Sequence, residues 1–391
     1  MSETLAIDVE AVRAELPATQ RLAYLNTGTA GPLPTRTAEA MRRAADAELS
    51  DGRIGMSGFF AFFDQLDQLR AALAAQFGAR PSEIGLTHNT TEGMNIGAWS
   101  LDLRPGERVV TTTLEHGGGL LPLYQLHRRR GIEVHFVPCG NGEREIVLEG
   151  MRQAIRPGVR LVVLSHVSYQ TGAVLPIREV AEMAHEVGAL VVVDGAQSAG
   201  AIPLDLHGLG VDVYAIPGQK WLCGPEGTGA VFVREARLPE VEATFVGGFG
   251  VDHHSFRADR VGFVPAEGSR RYEIGSVYRP SMIGLHTSLT WLQGLGPIPK
   301  AIGDLVSYCL GRLTEVPGAE VLTPRQPEMS GLVAVRLPGA DVERCVEWLS
   351  ERRVAIRSIA DNGALRISCG FFNTRAEIDR TVALLQEFQR Q

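Results

Sequence analysis

The sequence predicts an α/β protein, with a large, mostly parallel sheet domain followed by a smaller α+β C-terminal domain. Three observations predict it. Short apolar runs alternate with helix-like stretches, the pattern of strands joined by right-handed crossovers. Several runs, such as LVVLSHV and ALVVVDGA, are apolar right through, as strands covered on both faces of a parallel sheet are. After about Tyr278 the alternation gives way to a long helical stretch and a mixed tail.

Taken in order, helical signals cover Ala38–Leu49, Phe62–Phe77 and Ile177–Val187. Strands are expected at Glu107–Thr112, Ile132–Pro138, Leu161–His166, Leu190–Asp194, Val211–Ile216 and Ala230–Arg234. The HRRR run at His127–Arg130 reads as the end of a helix, where cations suit the dipole. IGLTHNTTEGMN passes from a strand into a helix start. Phe245–Arg279, rich in Gly, His and Arg, has little periodicity and is expected to be functional or mobile. One helical stretch is then expected over roughly Ser281–Leu313. LVAVRLPG, RVAIRSIA and ALRISCGF read as strands, and Arg375–Arg390 as a closing helix. The expected division is a large domain over residues 17–280 and a small domain over 1–16 and 281–391.

The 391 residues are 45% hydrophobic and 21% charged, ordinary for a soluble globular protein. A net charge of -7 argues against nucleic-acid backbone binding, which needs clustered cations. Asp8, Glu10 and Glu15 interrupt any apolar N-terminal run, so no signal peptide is expected. No stretch approaches the ~20 apolar residues of a membrane span. Cys139, Cys223, Cys309, Cys345 and Cys369 are odd in number and lack paired spacing. They suggest neither a disulfide framework nor a metal site, and a cytoplasmic location is expected.

Ligands of parallel α/β sheets bind at the carboxyl ends of the strands. Those ends deliver Glu115 and His116, His166 and Ser168, Asp194, and Lys220. The helix start adds Thr87, Asn89, Thr90 and Thr91. A hydroxyl-rich turn at a helix N-terminus is an anion cradle. An Asp suits a cationic ring nitrogen, and a lysine forms an imine with a carbonyl. Pyridoxal 5′-phosphate has a phosphate, a pyridine nitrogen and an aldehyde, so it fits the set. Each piece alone has an ordinary reading as a cap, a turn or a surface residue; their joint order carries the inference.

At these residues the sequence resembles the class V aminotransferase-like family of fold-type I pyridoxal-phosphate enzymes. Cysteine desulfurases, cystine C–S lyases and isopenicillin N epimerases belong to it. The likeness runs from YLNTGTAGPLP to FFNTRAEIDR, with DGAQSAG and GQKWLCGPEGTG as its specific motifs. The resemblance implies that Lys220 is the imine lysine and proton shuttle, and Asp194 the partner of the ring nitrogen. It implies that Gln197 bonds the ring's 3-oxygen and that His116 stacks on the ring. Thr90, Thr91 and Gln219 would serve the phosphate. Ser276 would reach the phosphate of a neighbouring subunit, which implies a homodimer. Arg366 would clamp the substrate carboxylate, with Arg357, Thr27 and Tyr169 as further substrate-pocket residues.

Departures from the family pattern narrow the activity. Pro217-Gly218-Gln219 replaces the usual hydroxyl-Gly-His before the lysine, which removes one phosphate contact. The loop Arg357–Leu365 is short and lacks the cysteine with which a desulfurase attacks sulfur. Cys369 reads as core and Cys223 as a packed loop residue. The cystine C–S lyases lack that cysteine and share an R-[ST]-IA-D segment, as in IRSIADNGALRIS. The resemblance therefore implies β-elimination from an S-substituted L-cysteine, giving a thiol or persulfide, pyruvate and ammonia. Desulfuration, epimerisation, transamination, oxidative decarboxylation and a non-catalytic sulfur-carrier role are the rival expectations. Ser50–Phe60 and Phe245–Tyr272, with Arg53, Phe59, Phe60, His253 and His254, are expected to line the outer pocket.

Overall fold

The structure is a computed structural model that describes residues 7–53 and 56–391. The first six residues of the expected small domain, and the Phe59 side chain, lie outside the described part. Seven strands form the main sheet. Their order is Ile84–Thr87, Gly229–Val233, Val213–Pro217, Leu190–Asp194, Val159–Ser165, Arg108–Thr112 and Glu133–Val137. Gly229–Val233 runs antiparallel to both neighbours. The other pairings are parallel.

Strand residues alternate between two cores. Val162, Leu164, Val191, Val193 and Tyr214 face one apolar cluster. Leu161, Val163, Leu190, Val192 and Val213 face the other. Burial on both faces explains why these runs are apolar throughout. Each fully buried Val or Leu contributes roughly 1.5–3 kcal/mol. Helix Ile177–Glu186 covers one face with buried Ile177, Val180, Ala181 and Ala184, the spacing of one helical stripe.

The path of the chain places the site. From Arg108–Thr112 it steps outward to Glu133–Val137, then returns to the opposite side as Val159–Ser165. The carboxyl ends diverge at such a switch point and leave a crevice.

A second, antiparallel sheet has the order Arg357–Ile359, Ala364–Ser368, Leu332–Arg336, Glu320–Val321. Helices Ile298–Leu313, Val342–Glu351 and Arg375–Phe388 accompany it. Ala23–Tyr24 pairs in parallel with Val354–Ala355, which joins the start of the chain to its last quarter.

The expected helix over Ser281–Leu313 is two helices, Arg279–Gln293 and Ile298–Leu313. Gly294, Gly296 at φ 90° and Pro297 break it. A glycine in left-handed geometry and a proline without an N–H cannot both continue a helix. The division expected at 280 falls in the first turn of Arg279–Gln293, which packs on Thr35–Asp51 and Met56–Gln76. RVAIRSIA is likewise two strands, Val354–Ala355 and Arg357–Ile359, in different sheets. Phe245–Arg279 is irregular except for short turns at Gly248–Gly250 and Gly268–Tyr272. Helix Met56–Gln76 starts within the expected Ser50–Phe60 loop.

Candidate active site

A cavity of about 120 Å³ opens at the switch point, lined by His116, Tyr169, Asp194, Gln197, Lys220, Arg357 and Arg366 among others. Asp194 ends its strand and is 4% exposed. Its Oδ1 accepts from the Ala196 N–H at 2.7 Å. The other oxygen takes no hydrogen bond among the described residues, so it keeps its acceptor capacity for a ligand.

Lys220 follows Val213–Pro217, in the turn beyond that strand. Its amine has no hydrogen bond or ion pair among the described residues. Desolvation pushes its pKa down to about 8, and Arg366 and Arg357 add to this against the pull of Asp194. A lysine with that pKa supplies neutral amine near pH 8, as nucleophilic and proton-transfer chemistry requires.

His116 caps helix Gly117–Arg130, its Nδ1 accepting from the Gly118 N–H at 3.0 Å. That bond leaves the ring proton on Nε2. Tyr169 stands edge-on to the ring, with centroids 5.0 Å apart. Gln197 donates from Nε2 to the Gly28 carbonyl at 2.8 Å and accepts from Trp221 Nε1 at 3.1 Å. One amide N–H remains for the cavity.

Arg366 and Arg357 are register partners on adjacent antiparallel strands. Like charges directly opposite oppose folding. Both nevertheless converge on one hydroxyl: Arg366 Nη2 donates to Thr29 Oγ1 at 3.1 Å, and Arg357 Nη1 at 3.3 Å. Arg366 is 1% exposed, and its Nε has no partner. Burial and the Arg357 charge push its pKa down to about 9. Neither guanidinium has a carboxylate in ion-pair reach among the described residues. One buried and one exposed cation with spare donors can together receive a carboxylate.

The remaining expected residues lie around this cavity rather than in it. Thr90 and Thr91 open helix Thr90–Ala98, but its cap is Asn89, whose Oδ1 accepts from the Glu92 N–H at 2.9 Å. A Cβ on Gly118 would lie 2.9 Å from Thr91 Oγ1 and 3.3 Å from His116 Nδ1, so this helix start borders the histidine. Gln219 has a buried Oε1 without a partner. Ser276 is exposed on the irregular stretch before helix Arg279–Gln293. Thr27 is fully buried with an unpartnered Oγ1, and it does not line the cavity. The hydroxyl between the arginines belongs to Thr29, two residues on in the same turn. His166, gathered with the site from its strand end, faces away. It bonds the Tyr214 hydroxyl at 2.9 Å, and burial pushes its imidazole down to about 3.

Glu115, already gathered from its strand end, and two further residues belong to the site region. Glu115 accepts from Ser165 Oγ at 2.6 Å and Thr112 Oγ1 at 2.5 Å, and burial pushes its carboxyl up to about 7. Trp221 orients Gln197. Asp361 accepts from the Tyr169 hydroxyl at 2.7 Å. Their motifs were visible, but each stands beside a stronger candidate: Glu115 by His116, Trp221 by Lys220 and Asp361 by Arg357.

All five cysteines are buried and free, and none lines the cavity. Burial pushes the Cys223 thiol up to about 12. No group of three or more His, Cys, Asp or Glu able to hold a metal ion occurs among the described residues. No helix among them is long and apolar enough to cross a membrane.

Comparisons with known proteins agree with this geometry. The family model for class-V aminotransferases matches residues 23–381. A cysteine desulfurase of Haloferax volcanii is 27% identical, over 98% of this chain and 97% of that protein. A probable cysteine desulfurase 2 of Mycobacterium leprae is 30% identical, over 96% of each. Among solved structures, the cystine C–S lyase C-DES with its product cysteine persulfide superposes with a TM-score of 0.90 at 30% identity, covering 95% of this chain and 99% of that one. A lysine-to-alanine variant of C-DES, with glycine covalently linked to its PLP cofactor, gives the same TM-score and identity, with 96% and 99% covered. The chain belongs to the class-V aminotransferase family.

Proposed function

We propose that this enzyme is a pyridoxal-phosphate-dependent C–S lyase that splits S-substituted L-cysteines by β-elimination. The substrate, with one water, becomes a thiol or persulfide, pyruvate and ammonia. Donor chemistry supports the cofactor. Asp194 offers an open carboxylate oxygen to a ring nitrogen, and Gln197 offers a spare N–H to the ring's 3-oxygen. Lys220 offers an uncharged amine to the aldehyde. The helix start at Thr90 and Thr91, with the Gln219 side chain, would hold the phosphate, and His116 would cover the ring. When bound, the cofactor supplies an electron sink for the substrate's Cα.

The chain's own residues then divide the work. Arg366 and Arg357 hold the α-carboxylate, with Thr29 between them. Lys220, whose lowered pKa favours the neutral amine, would take the proton from Cα. Asp194 would hold a ring nitrogen of the cofactor and favour its protonated form. Tyr169 walls the side through which the sulfur substituent departs.

One observation carries elimination over desulfuration. Desulfuration transfers sulfur to an enzyme thiolate. Here no cysteine reaches the cavity, and the Arg357–Leu365 segment that could carry one holds none. Incubating the holoprotein with L-cystine and with S-alkyl-L-cysteines tests this, and pyruvate and ammonia are expected. Because its relatives include named cysteine desulfurases, desulfuration is the second reading; alanine and enzyme-bound persulfide in place of pyruvate would establish it.

The same reading divides the chain into residues 17–280 and 1–16 with 281–391, and pairs two copies in the cytoplasm. Ser276 would then reach the partner's phosphate. Exposed Phe245, Val261, Phe263, Val264 and Tyr278 on the segment around it support the pairing.

A further inference from the structure

Asp361 stands apart from the chemistry assigned above. It lies in the turn Ala360–Asn362, which joins the two strands that carry Arg357 and Arg366. Its Oδ2 accepts from the Tyr169 hydroxyl at 2.7 Å. Tyr169 lines the cavity and stands edge-on to His116. Next to it, Asn362 Nδ2 donates to the Gln170 carbonyl at 3.4 Å, and Arg366 Nη1 donates to the Tyr169 carbonyl at 3.4 Å. These bonds clasp the turn to the loop after strand Val159–Ser165, at the rim of the cavity.

The charges at this rim are unequal in use. Arg357 and Arg366 converge on Thr29, where they await the α-carboxylate. Asp361 is exposed and makes no ion pair among the described residues. A neutral phenol holds it in place, so its full negative charge stays open to a ligand. On the β-elimination reading, a substrate gripped by its α-carboxylate at the arginines would have Tyr169 on the cavity wall and this carboxylate directly behind it.

Resting on the β-elimination reading, we propose that Asp361 is a specificity-determining residue, which selects cysteine derivatives whose sulfur substituent ends in an ammonium group. Aminoalkyl conjugates have such a tail and carboxyalkyl conjugates the opposite one; the distal half of L-cystine carries an ammonium and a carboxylate together. A single fixed charge at a partly exposed rim discriminates by about ten-fold.

The test compares two pairs of matched amino acids on the holoprotein. S-(2-aminoethyl)-L-cysteine and S-(carboxymethyl)-L-cysteine are compared by kcat/KM for pyruvate release. L-Lysine and L-2-aminoadipate have the same shapes without the C–S bond, and their binding is measured by calorimetry. The native protein favours the ammonium member of each pair, by about ten-fold. Asp361→Asn still accepts the Tyr169 hydroxyl and loses only charge; its preference collapses toward one. Asp361→Lys reverses it. Tyr169→Phe keeps the charge but unclasps it, and narrows the preference partway. Equal binding of L-lysine and L-2-aminoadipate by the native protein, or an Asp361→Asn preference unchanged from native, overturns the proposal. If no conjugate yields pyruvate, the elimination reading fails, and the calorimetric pair still decides the role of Asp361.

Discussion

At the scale of single residues, the site is organised by groups that lack partners. Lys220 is held near a pKa of 8 by desolvation. The reactive form of an amine is the neutral one, and its fraction rises with pH through the pKa. In the cofactor-free protein, the rate of aldehyde capture at Lys220 should therefore climb with pH, reach half its plateau near 8 and level off above. Stopped-flow absorbance across a pH series checks this; a midpoint near that of an ordinary lysine would contradict it. Arg357 and Arg366 make a second prediction with two signs. Replacing Arg357 by Ala should raise KM, by about ten-fold for loss of one charge-assisted contact. It should also stabilise the substrate-free protein by a few tenths of a kcal/mol, since it removes a like-charged cross-strand neighbour. Substrate titrations and thermal melts separate the effects. The resemblance implied both arginines and Thr27, whereas the hydroxyl that meets the arginines is that of Thr29. Which hydroxyl of NTGT turns toward the arginines depends on the turn after Asn26, which is anchored by a bridge to Ser368. A contact so distant in sequence leaves no local periodicity to read.

At the scale of elements, legibility followed punctuation. Leu190–Asp194 was placed to the residue, because Gly188 and Gly195 bracket a short apolar run with three consecutive valines. The helical stretch from Ser281 concealed its break, although Gly294, Gly296 and Pro297 were the signals for it. RVAIRSIA could not be divided from its own residues, since its halves are separated only by which partner each strand meets. An unforeseen tie fixes the elements next to the site. Arg70, on helix Met56–Gln76, donates to Glu273 at 3.0, 2.8 and 2.6 Å. Glu273 also accepts from the Leu86 N–H at 3.0 Å. The pair is almost wholly buried, with side-chain exposures of 4% and 8%. Glu273→Ala should cost about 3 kcal/mol, because it leaves the buried guanidinium with only its contact to Asp67 at 2.5 Å. Denaturant unfolding of the variant checks the figure; a loss under 1 kcal/mol would show that water reaches the arginine.

At the scale of the whole molecule, the mostly parallel sheet was legible because burial on both faces writes itself into composition, whereas the order of its strands was not. The irregular Phe245–Arg279 stretch was legible only as an anomaly. Its exposed apolar side chains gain meaning against a second copy of the chain. On that proposal the holoprotein sediments at twice the mass of one chain, and a Val261→Asp/Phe263→Asp double variant shifts it toward the single-chain mass and weakens cofactor retention. Sedimentation velocity and dialysis followed by absorbance check the two outcomes.

The short pairing of Ala23–Tyr24 with Val354–Ala355 bears on how the protein is made. On the ribosome, the earliest strand must wait for one of the last before it can zip up. The shelf at Asp194 and Lys220, proposed to hold the cofactor, is complete while the guanidinium wall is still untranslated. A nascent chain can thus meet the vitamin before it can grip an amino acid, and C-terminal truncations should leave a coloured but substrate-blind protein.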